Sequence, residues 1–140
     1  MSIAMPAAED SRVRIEPPTI DRRGRVRQQG LADTERNFAI ATHLSPFAWF
    51  LGLGPLALAA PIVLWLVRRN QSVFNDDHGR EIVNFGLTFF LLHLLLAVTV
   101  VGIVVWLVLW VVAVVNMIRG AVAAGNGEYF RYPMTIRFLS

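Results

Sequence analysis

Two long blocks without charged side chains dominate the pattern of polar and apolar positions in this chain. The longer block runs from Ile82 to Ile118, and the shorter one lies between Arg36 and Arg68. About 18 or more consecutive apolar residues are the usual mark of a membrane helix. Both blocks exceed that length, so the sequence predicts an all-α integral membrane protein.

The longer block predicts two membrane helices and not one. As a single helix it would measure roughly 56 Å, against a hydrocarbon core of about 30 Å. The stretch from Ala97 to Gly102 offers a break, because Gly102 accepts backbone angles that its β-branched neighbours resist. We therefore predict a tight helical hairpin. The alternative is one kinked helix that leaves the bilayer near Asn116.

The shorter block also exceeds one span, at roughly 46 Å as a helix. Its middle contains Gly52, Gly54 and Pro55, and the proline pushes Gly54 away from helical angles. A turn there divides the block into residues 37–51 and 55–67. The first half is short and polar, so three spans compete with four short membrane segments arranged as two hairpins.

The positions of the arginines favour two hairpins. All thirteen basic residues are Arg, with seven up to Arg36 and six after it. Arginine marks the cytoplasmic flanks of membrane segments. Two hairpins place every arginine on one side, whereas three spans divide them seven to six. The sequence therefore predicts a multi-pass protein of the bacterial inner membrane with both termini in the cytoplasm.

Residues 1–35 predict a disordered, Arg-rich cytoplasmic tail, since they contain prolines and glycines but no sustained apolar period. Four arginines, Arg22, Arg23, Arg25 and Arg27, form its densest charge. Beside a membrane each would be attracted to anionic lipid headgroups by about 1 kcal/mol. No aromatic platform accompanies them, so nucleic-acid binding is not expected.

The remaining chain divides into a helical membrane domain, residues 36–119, and an interfacial C-terminal segment, residues 120–140. In the latter, aromatic and apolar residues alternate with others from Phe130 to Phe138. Alternation of this kind predicts an extended chain. We expect it to lie along the membrane surface without entering the bilayer.

A polar cluster between the two blocks is the candidate functional region, and its members are Asp76, Asp77, His78, Arg80, Glu81 and Asn84. The plainest interpretation is a capped helix start, with Asn75 as N-cap and the acids in the first turn. A partner-binding or gating surface is an alternative. A divalent metal site on Asp77, His78 and Glu81, with metal-dependent enzyme chemistry, is another.

Three polar side chains are expected at membrane depth: His43, His93 and Asn116. Such groups commonly form hydrogen bonds between helices. They are also candidates for a polar path through the helix bundle, because ionisable groups inside membranes are often functional.

Several short motifs occur in a characteristic order: His43-Leu-Ser45, Pro61-Ile-Val-Leu-Trp65, Phe74-Asn-Asp-Asp-His-Gly-Arg-Glu81, Asn126-Gly-Glu128 and Arg131-Tyr-Pro133. In this order they resemble the Tic-twenty-like family over roughly residues 34–138. That family comprises small bacterial membrane proteins related to a subunit of the chloroplast inner-envelope import translocon. The resemblance implies four membrane helices with both ends on one side, and no enzyme activity, cofactor or catalytic residue.

The functional prediction is a non-catalytic scaffold or accessory subunit of a membrane complex, with protein insertion or transport as a candidate role. Cysteine is absent, which excludes disulfides and thiolate chemistry. The expected partners are the lipid bilayer, anionic headgroups, and a second copy or a larger membrane complex. No metal or other cofactor is expected. The alternative function is a small channel or transporter.

Overall fold

The structure, a computed structural model, describes residues 16–51, 56–96 and 99–139 and is mostly helical. Its elements in chain order are β1 (Thr19–Ile20), β2 (Val26–Arg27), α1 (Asp33–Leu44), a 3₁₀ helix (Ser45–Leu51), α2 (Leu56–Arg68), α3 (Val73–Leu96) and α4 (Val100–Gly125). By length and composition, α3 and α4 are able to cross a membrane. The predicted mostly helical architecture is confirmed, and two of its helices are long and apolar enough to span a membrane.

The division of the longer block is confirmed at the predicted place, because α3 ends at Leu96 and α4 begins at Val100. Thr99 caps α4, and its hydroxyl accepts a hydrogen bond from the Gly102 amide at 3.1 Å. A Cβ on Gly102 would lie 2.7 Å from this hydroxyl oxygen. Gly102 therefore permits a close approach inside the first turn of α4, and the break itself precedes it.

α3 and α4 run antiparallel. Phe89 packs on Trp110 with ring centroids 5.6 Å apart, and one turn further along α3 His93 packs on Trp106 at 5.8 Å. Both helices extend past the uncharged block, α3 beginning before Glu81 and α4 ending after Arg119. A helix need not stop where the hydrocarbon stops, since backbone hydrogen bonds within it are kept in water as well.

The shorter block contains no helix of spanning length among the described residues. α1 and α2 contain 12 and 13 residues, or about 18 and 20 Å, against a core of about 30 Å. α1 packs on α4, where Ile40 faces Gly125 and His43 faces Gly120. The predicted turn at residues 52–55 lies outside the described residues, and the number of hairpins stays a prediction.

Residues 16–35, for which the sequence predicts a disordered tail, contain two short strands and contacts with the far end of the chain; residues 1–15 lie outside the described part. β1 and β2 pair as an antiparallel hairpin. The backbone then joins the far end of the chain, with Tyr129 donating to Val26 and Gln28 to Gly127 at 2.9 and 2.8 Å. These partners lie about a hundred residues away, which is why the local composition gave no sign of them.

Candidate functional site

A buried chain of three polar rings lies where α1, α3 and the segment after α4 meet. The Nδ1 atom of His43 is 2.6 Å from the Tyr132 hydroxyl, and its Nε2 atom is 2.8 Å from Nδ1 of His78. Burial raises the pKa of the Tyr132 phenol well above its usual range. The phenol therefore stays protonated and donates to His43, which leaves Nε2 of His43 as the donor to His78.

Close packing holds this chain of rings in place. A Cβ on Gly120 would lie 2.7 Å from Nδ1 of His43 and 2.8 Å from the Tyr132 hydroxyl. Tyr129 stacks on His78 with an interplanar angle of 9°. Only a glycine at position 120 lets α4 approach both rings, so the α4 backbone forms one wall of the site.

α4 continues to Gly125, so the predicted C-terminal segment is shorter than expected. Residues 128–139, called the C-terminal segment from here on, are attached to one face of α3. Along that face Asp77, Glu81, Asn84 and Thr88 follow at spacings of four, three and four residues, which places them on one side of the helix. The Asn84 side chain accepts hydrogen bonds from the Phe138 and Leu139 amides, at 3.0 and 2.9 Å, and donates to the Leu139 carbonyl at 3.0 Å. One amide side chain thus satisfies three backbone groups of the segment.

Ion pairs hold the same segment at its charged end. Arg131 makes a bidentate contact with Asp77 at 2.6 and 2.7 Å, and Arg137 binds Glu81 at 3.1 Å. Glu81 is buried and also accepts a hydrogen bond from the Tyr132 amide at 3.3 Å. The contact with Asp77 is the largest cause of a raised pKa for Arg131.

The C-terminal segment, which the sequence predicts to lie along the membrane surface, packs against both α3 and α4, and its position relative to the bilayer stays a prediction. Pro133 and Met134 share a small cavity with Leu92 of α3 and Leu109 of α4, well inside the uncharged block. Thr88 accepts a hydrogen bond from the Ile136 amide at 3.0 Å. Asn84 and Thr88 thus supply hydrogen-bond partners for the irregular backbone of this segment.

The residues of the predicted polar cluster are close together in the sequence, but their side chains lie on three different faces of α3. Asp77, Glu81 and Asn84 face the C-terminal segment, as described above, while His78 faces α1. Asp76 instead accepts hydrogen bonds from Trp65 of α2 and from Arg80, each at 2.8 Å. A joint metal site on Asp77, His78 and Glu81 does not form, and no such group of three comes together within the described ranges.

The predicted helix cap is also corrected. Ser72 precedes α3, and its hydroxyl accepts a hydrogen bond from the Asn75 amide at 3.3 Å. Asn75 therefore lies inside the first turn and is buried there. A serine is as good an N-cap as an asparagine, so the sequence alone did not distinguish the two positions.

Of the three polar residues expected at membrane depth, His43 is the one with hydrogen bonds to other elements among the described residues, although the His93 ring also packs on Trp106 of α4. His93 lies 2.8 Å from the Phe89 carbonyl and Asn116 donates to the Val112 carbonyl at 2.8 Å, both within their own helices. An apolar cavity of ≈ 280 Å³ lies between α2, α3 and α4. His43, His93 and Asn116 are not among the described residues that line this cavity. A channel function stays a prediction.

The four tail arginines differ in their contacts. Arg25 binds Glu128 at 2.9 Å and Asp21 at 2.7 Å, and Arg27 binds the Asn126 carbonyl at 2.9 Å. The Arg25 backbone amide donates to the Asp21 carboxylate, and this hydrogen bond is the largest of the causes that lower the pKa of Asp21 to about 2. Arg22 and Arg23 are exposed in the hairpin turn. Contact of these four arginines with lipid headgroups stays a prediction, and Arg25 and Arg27 also bind groups within the protein.

Residues 34–139 match the magnetosome magnetite crystal formation protein family, MamF/MmsF. The chain belongs to this family. Family membership and the two apolar helices together indicate a membrane protein involved in magnetosome formation. No curated protein and no solved structure matches the chain.

Membership of the MamF/MmsF family corrects the resemblance to the Tic-twenty-like family, which covered nearly the same residues. The motifs behind that resemblance mark a helix start, a charged membrane edge and a turn after a helix. Such features are general in small helical membrane proteins. The order of the motifs therefore indicated the architecture but not the family.

The residues that sequence reasoning missed are Tyr132, Arg131 and Arg137 as partners of the cluster on α3. The alternation around Tyr132 was visible in the sequence but was interpreted as a membrane-surface pattern. Contacts over 51 to 56 residues leave no local periodicity that would identify them.

Proposed function

We propose that this chain is a non-catalytic integral protein of the magnetosome membrane that supports magnetite crystal formation as part of a membrane assembly. The observation that carries the proposal is the family match over residues 34–139. That range includes α2, α3, α4, nearly all of α1 and the C-terminal segment. The match therefore concerns the helices and the C-terminal segment together and not one shared motif.

The pairing of the acidic side chains supports a structural role. Asp77 and Glu81 are bound by arginines of the C-terminal segment, and Asp76 is bound by Arg80. A carboxylate binds a metal ion only through oxygens that are free to coordinate. Here the guanidinium groups occupy those oxygens, so the cluster stabilises the fold and is not a free iron-binding surface.

The charge distribution supports one orientation. α3 carries its charges before Ile82 and α4 carries its charge after Ile118, so the charged ends of both helices coincide. By the preference of arginine for cytoplasmic flanks, this end faces the cytosol. The opposite end, at Thr99, presents no charged group among the described residues. Because this end lacks charged groups that would bind a crystal directly, we propose that the chain influences crystals through partners in the membrane.

The proposal is tested by complementation in a magnetosome-forming bacterium whose own genes of this family have been removed. We expect the tagged chain to fractionate with magnetosomes and to increase crystal size, measured by electron microscopy, relative to the empty vector. A Gly120→Leu variant is the control, because the leucine side chain would clash with His43 and disturb the fold. It shows the effect of a chain that is produced but does not pack correctly. Normal membrane levels of the unaltered chain with unchanged crystals would contradict the proposal.

A further inference from the structure

The apolar cavity between α2, α3 and α4 has the size and the lining of a site for one hydrocarbon chain. Its volume is ≈ 280 Å³. An apolar protein cavity of about 150 Å³ binds benzene, so this one has room for roughly ten carbon atoms. The described residues that line it are aliphatic, aromatic, proline, methionine or glycine, and none of them is charged. The occupant that suits such a lining is hydrocarbon.

Small residues on two neighbouring helices leave this space open. α2 contributes Ala57 and Pro61 to the lining, and α3 contributes Gly86. A Cβ on Gly86 would meet nothing within 4 Å. Protein interiors contain few voids larger than a water molecule, because atoms around an empty space lose their dispersion contacts. A gap of this size between membrane helices is therefore filled in the bilayer.

The cavity opens sideways, between α2 and α3. Along α3 its lining passes from Ile82 and Val83, which are buried, to Leu87 and Phe90, which are 38% and 51% exposed. Residues 82–90 lie inside the uncharged block. In the proposed membrane arrangement this opening faces hydrocarbon and not water, so a lipid chain enters it without crossing a polar layer.

A cation stands at the charged end of the same helix interface. Arg80 precedes Val83 by three residues, which places both on one face of α3. Along the helix axis the two residues are about 5 Å apart. The apolar space therefore begins roughly one turn of α3 below a guanidinium group.

A second cation accompanies the first. Arg69 directly follows α2, and its guanidinium carbon lies 5.7 Å from the centre of the Trp65 ring. The Trp65 indole donates to Asp76, whose carboxylate also binds Arg80. Among the described residues, one carboxylate thus accompanies two guanidinium groups, so this end of the interface between α2 and α3 keeps a positive charge.

We propose that the cavity holds one acyl chain of an anionic phospholipid whose headgroup is bound by Arg69 and Arg80. Basic pockets between membrane helices on the cytoplasmic side bind anionic headgroups, and an apolar space just below such a pocket takes the chain of the same molecule. A hydrocarbon without a phosphate would fill the cavity but leave the positive charge unmatched. This assignment goes beyond the proposed function and does not depend on it.

The test is native mass spectrometry of the full chain, delipidated in mild detergent and titrated with phosphatidylglycerol and phosphatidylethanolamine in equal amounts. The two lipids carry identical acyl chains, so only the headgroup distinguishes them. We expect the unaltered chain to retain one molecule of phosphatidylglycerol in preference to phosphatidylethanolamine. Equal retention of both lipids would overturn the assignment, as would a chain that retains no lipid or that appears only as a lipid-free dimer.

A cavity-filling variant tests where the acyl chain lies. Gly86→Leu places a side chain in the open space, and we expect it to reduce lipid retention several-fold. Val108→Leu, on an exposed part of α4, is the control and should retain lipid like the unaltered chain. The melting temperature in the same detergent shows whether each variant is folded. A folded Gly86→Leu chain with unchanged retention would refute the cavity as the site.

A charge variant tests the headgroup contact and does not depend on filling the core. Each arginine near an anionic lipid contributes about fivefold in affinity. We therefore expect the Arg69→Gln, Arg80→Gln double variant to bind phosphatidylglycerol on the order of 10-fold more weakly and to lose its preference for it. Arg22→Gln, Arg23→Gln removes the same charge from the exposed hairpin turn and is the matched control. Equal losses in the two double variants would show that net charge, and not this site, selects the lipid.

Discussion

Gly120 sets how closely α4 approaches the buried rings of His43 and Tyr132, and it gives the sharpest prediction at the residue scale. Gly120→Ala places a Cβ within 3 Å of both rings, and overpacking of this kind destabilises by about 1–3 kcal/mol. Gly86→Ala is the matched control, since nothing lies within 4 Å of its Cβ. We expect a lower melting temperature in detergent for the first variant. A Gly120→Ala protein as stable as the Gly86→Ala protein would refute the close contact.

The Tyr132 hydroxyl gives a pH-dependent prediction. Tyr132→Phe leaves a buried nitrogen of His43 without its donor, which destabilises by about 1–3 kcal/mol near neutral pH. In the unaltered protein the folded-state pKa of Tyr132 lies above the unfolded value of about 10. Above that pH the folded state binds more protons than the unfolded state, so stability falls as pH rises.

Denaturant titrations between neutral and strongly alkaline pH measure this effect. The decline that begins near pH 10 should be smaller in Tyr132→Phe, which has no phenol to ionise. Tyr129→Phe is the comparison: burial raises the pKa of the Tyr129 phenol as well, but Tyr129 is only partly buried, so we expect its removal to reduce the alkaline decline less than the removal of Tyr132 does. An identical alkaline decline in the unaltered protein and in Tyr132→Phe would show that Tyr132 does not cause it.

At the scale of elements, Asn84 attaches the last residues of the C-terminal segment to α3. Asn84→Leu removes three hydrogen bonds to Phe138 and Leu139, each with a net value of about 1 kcal/mol. Hydrogen exchange of those two amides should accelerate on the order of 100-fold if the segment opens as a unit. Asn116→Leu is the control, because Asn116 bonds only within its own helix. Unchanged exchange in Asn84→Leu would refute the attachment.

The same elements show what the sequence was able to predict. α3, α4 and the break between them follow from composition and length, because lipid selects long apolar runs. The pairings His43 with His78 and His43 with Tyr132 join positions 35 and 89 residues apart. Each depends on how α1 and the C-terminal segment return to the charged end. No local periodicity in the sequence indicates this packing, so these contacts and those of residues 16–35 were not predicted.

At the scale of the whole molecule, the orientation in the membrane is the prediction that matters most. Thr99→Cys lies between the two spanning helices, and Asn70→Cys lies in the turn between α2 and α3. A membrane-impermeant thiol reagent applied to the periplasmic side of spheroplasts should label position 99 and leave position 70 unmodified. Labelling at 70 from that side would reverse the proposed orientation, and labelling at both would remove α3 as a span.

Among the described residues, the charged end of α3 and α4 is also surrounded by more chain than the opposite end. α1, the β-hairpin and the C-terminal segment all pack there, whereas Leu94, Leu95 and Val104 near the other end are exposed. The cross-section therefore tapers through the bilayer. With the broad end toward the cytosol, as proposed, the molecule occupies more area in that leaflet than in the other. Such a wedge fits best into a small closed vesicle whose convex side faces the cytosol.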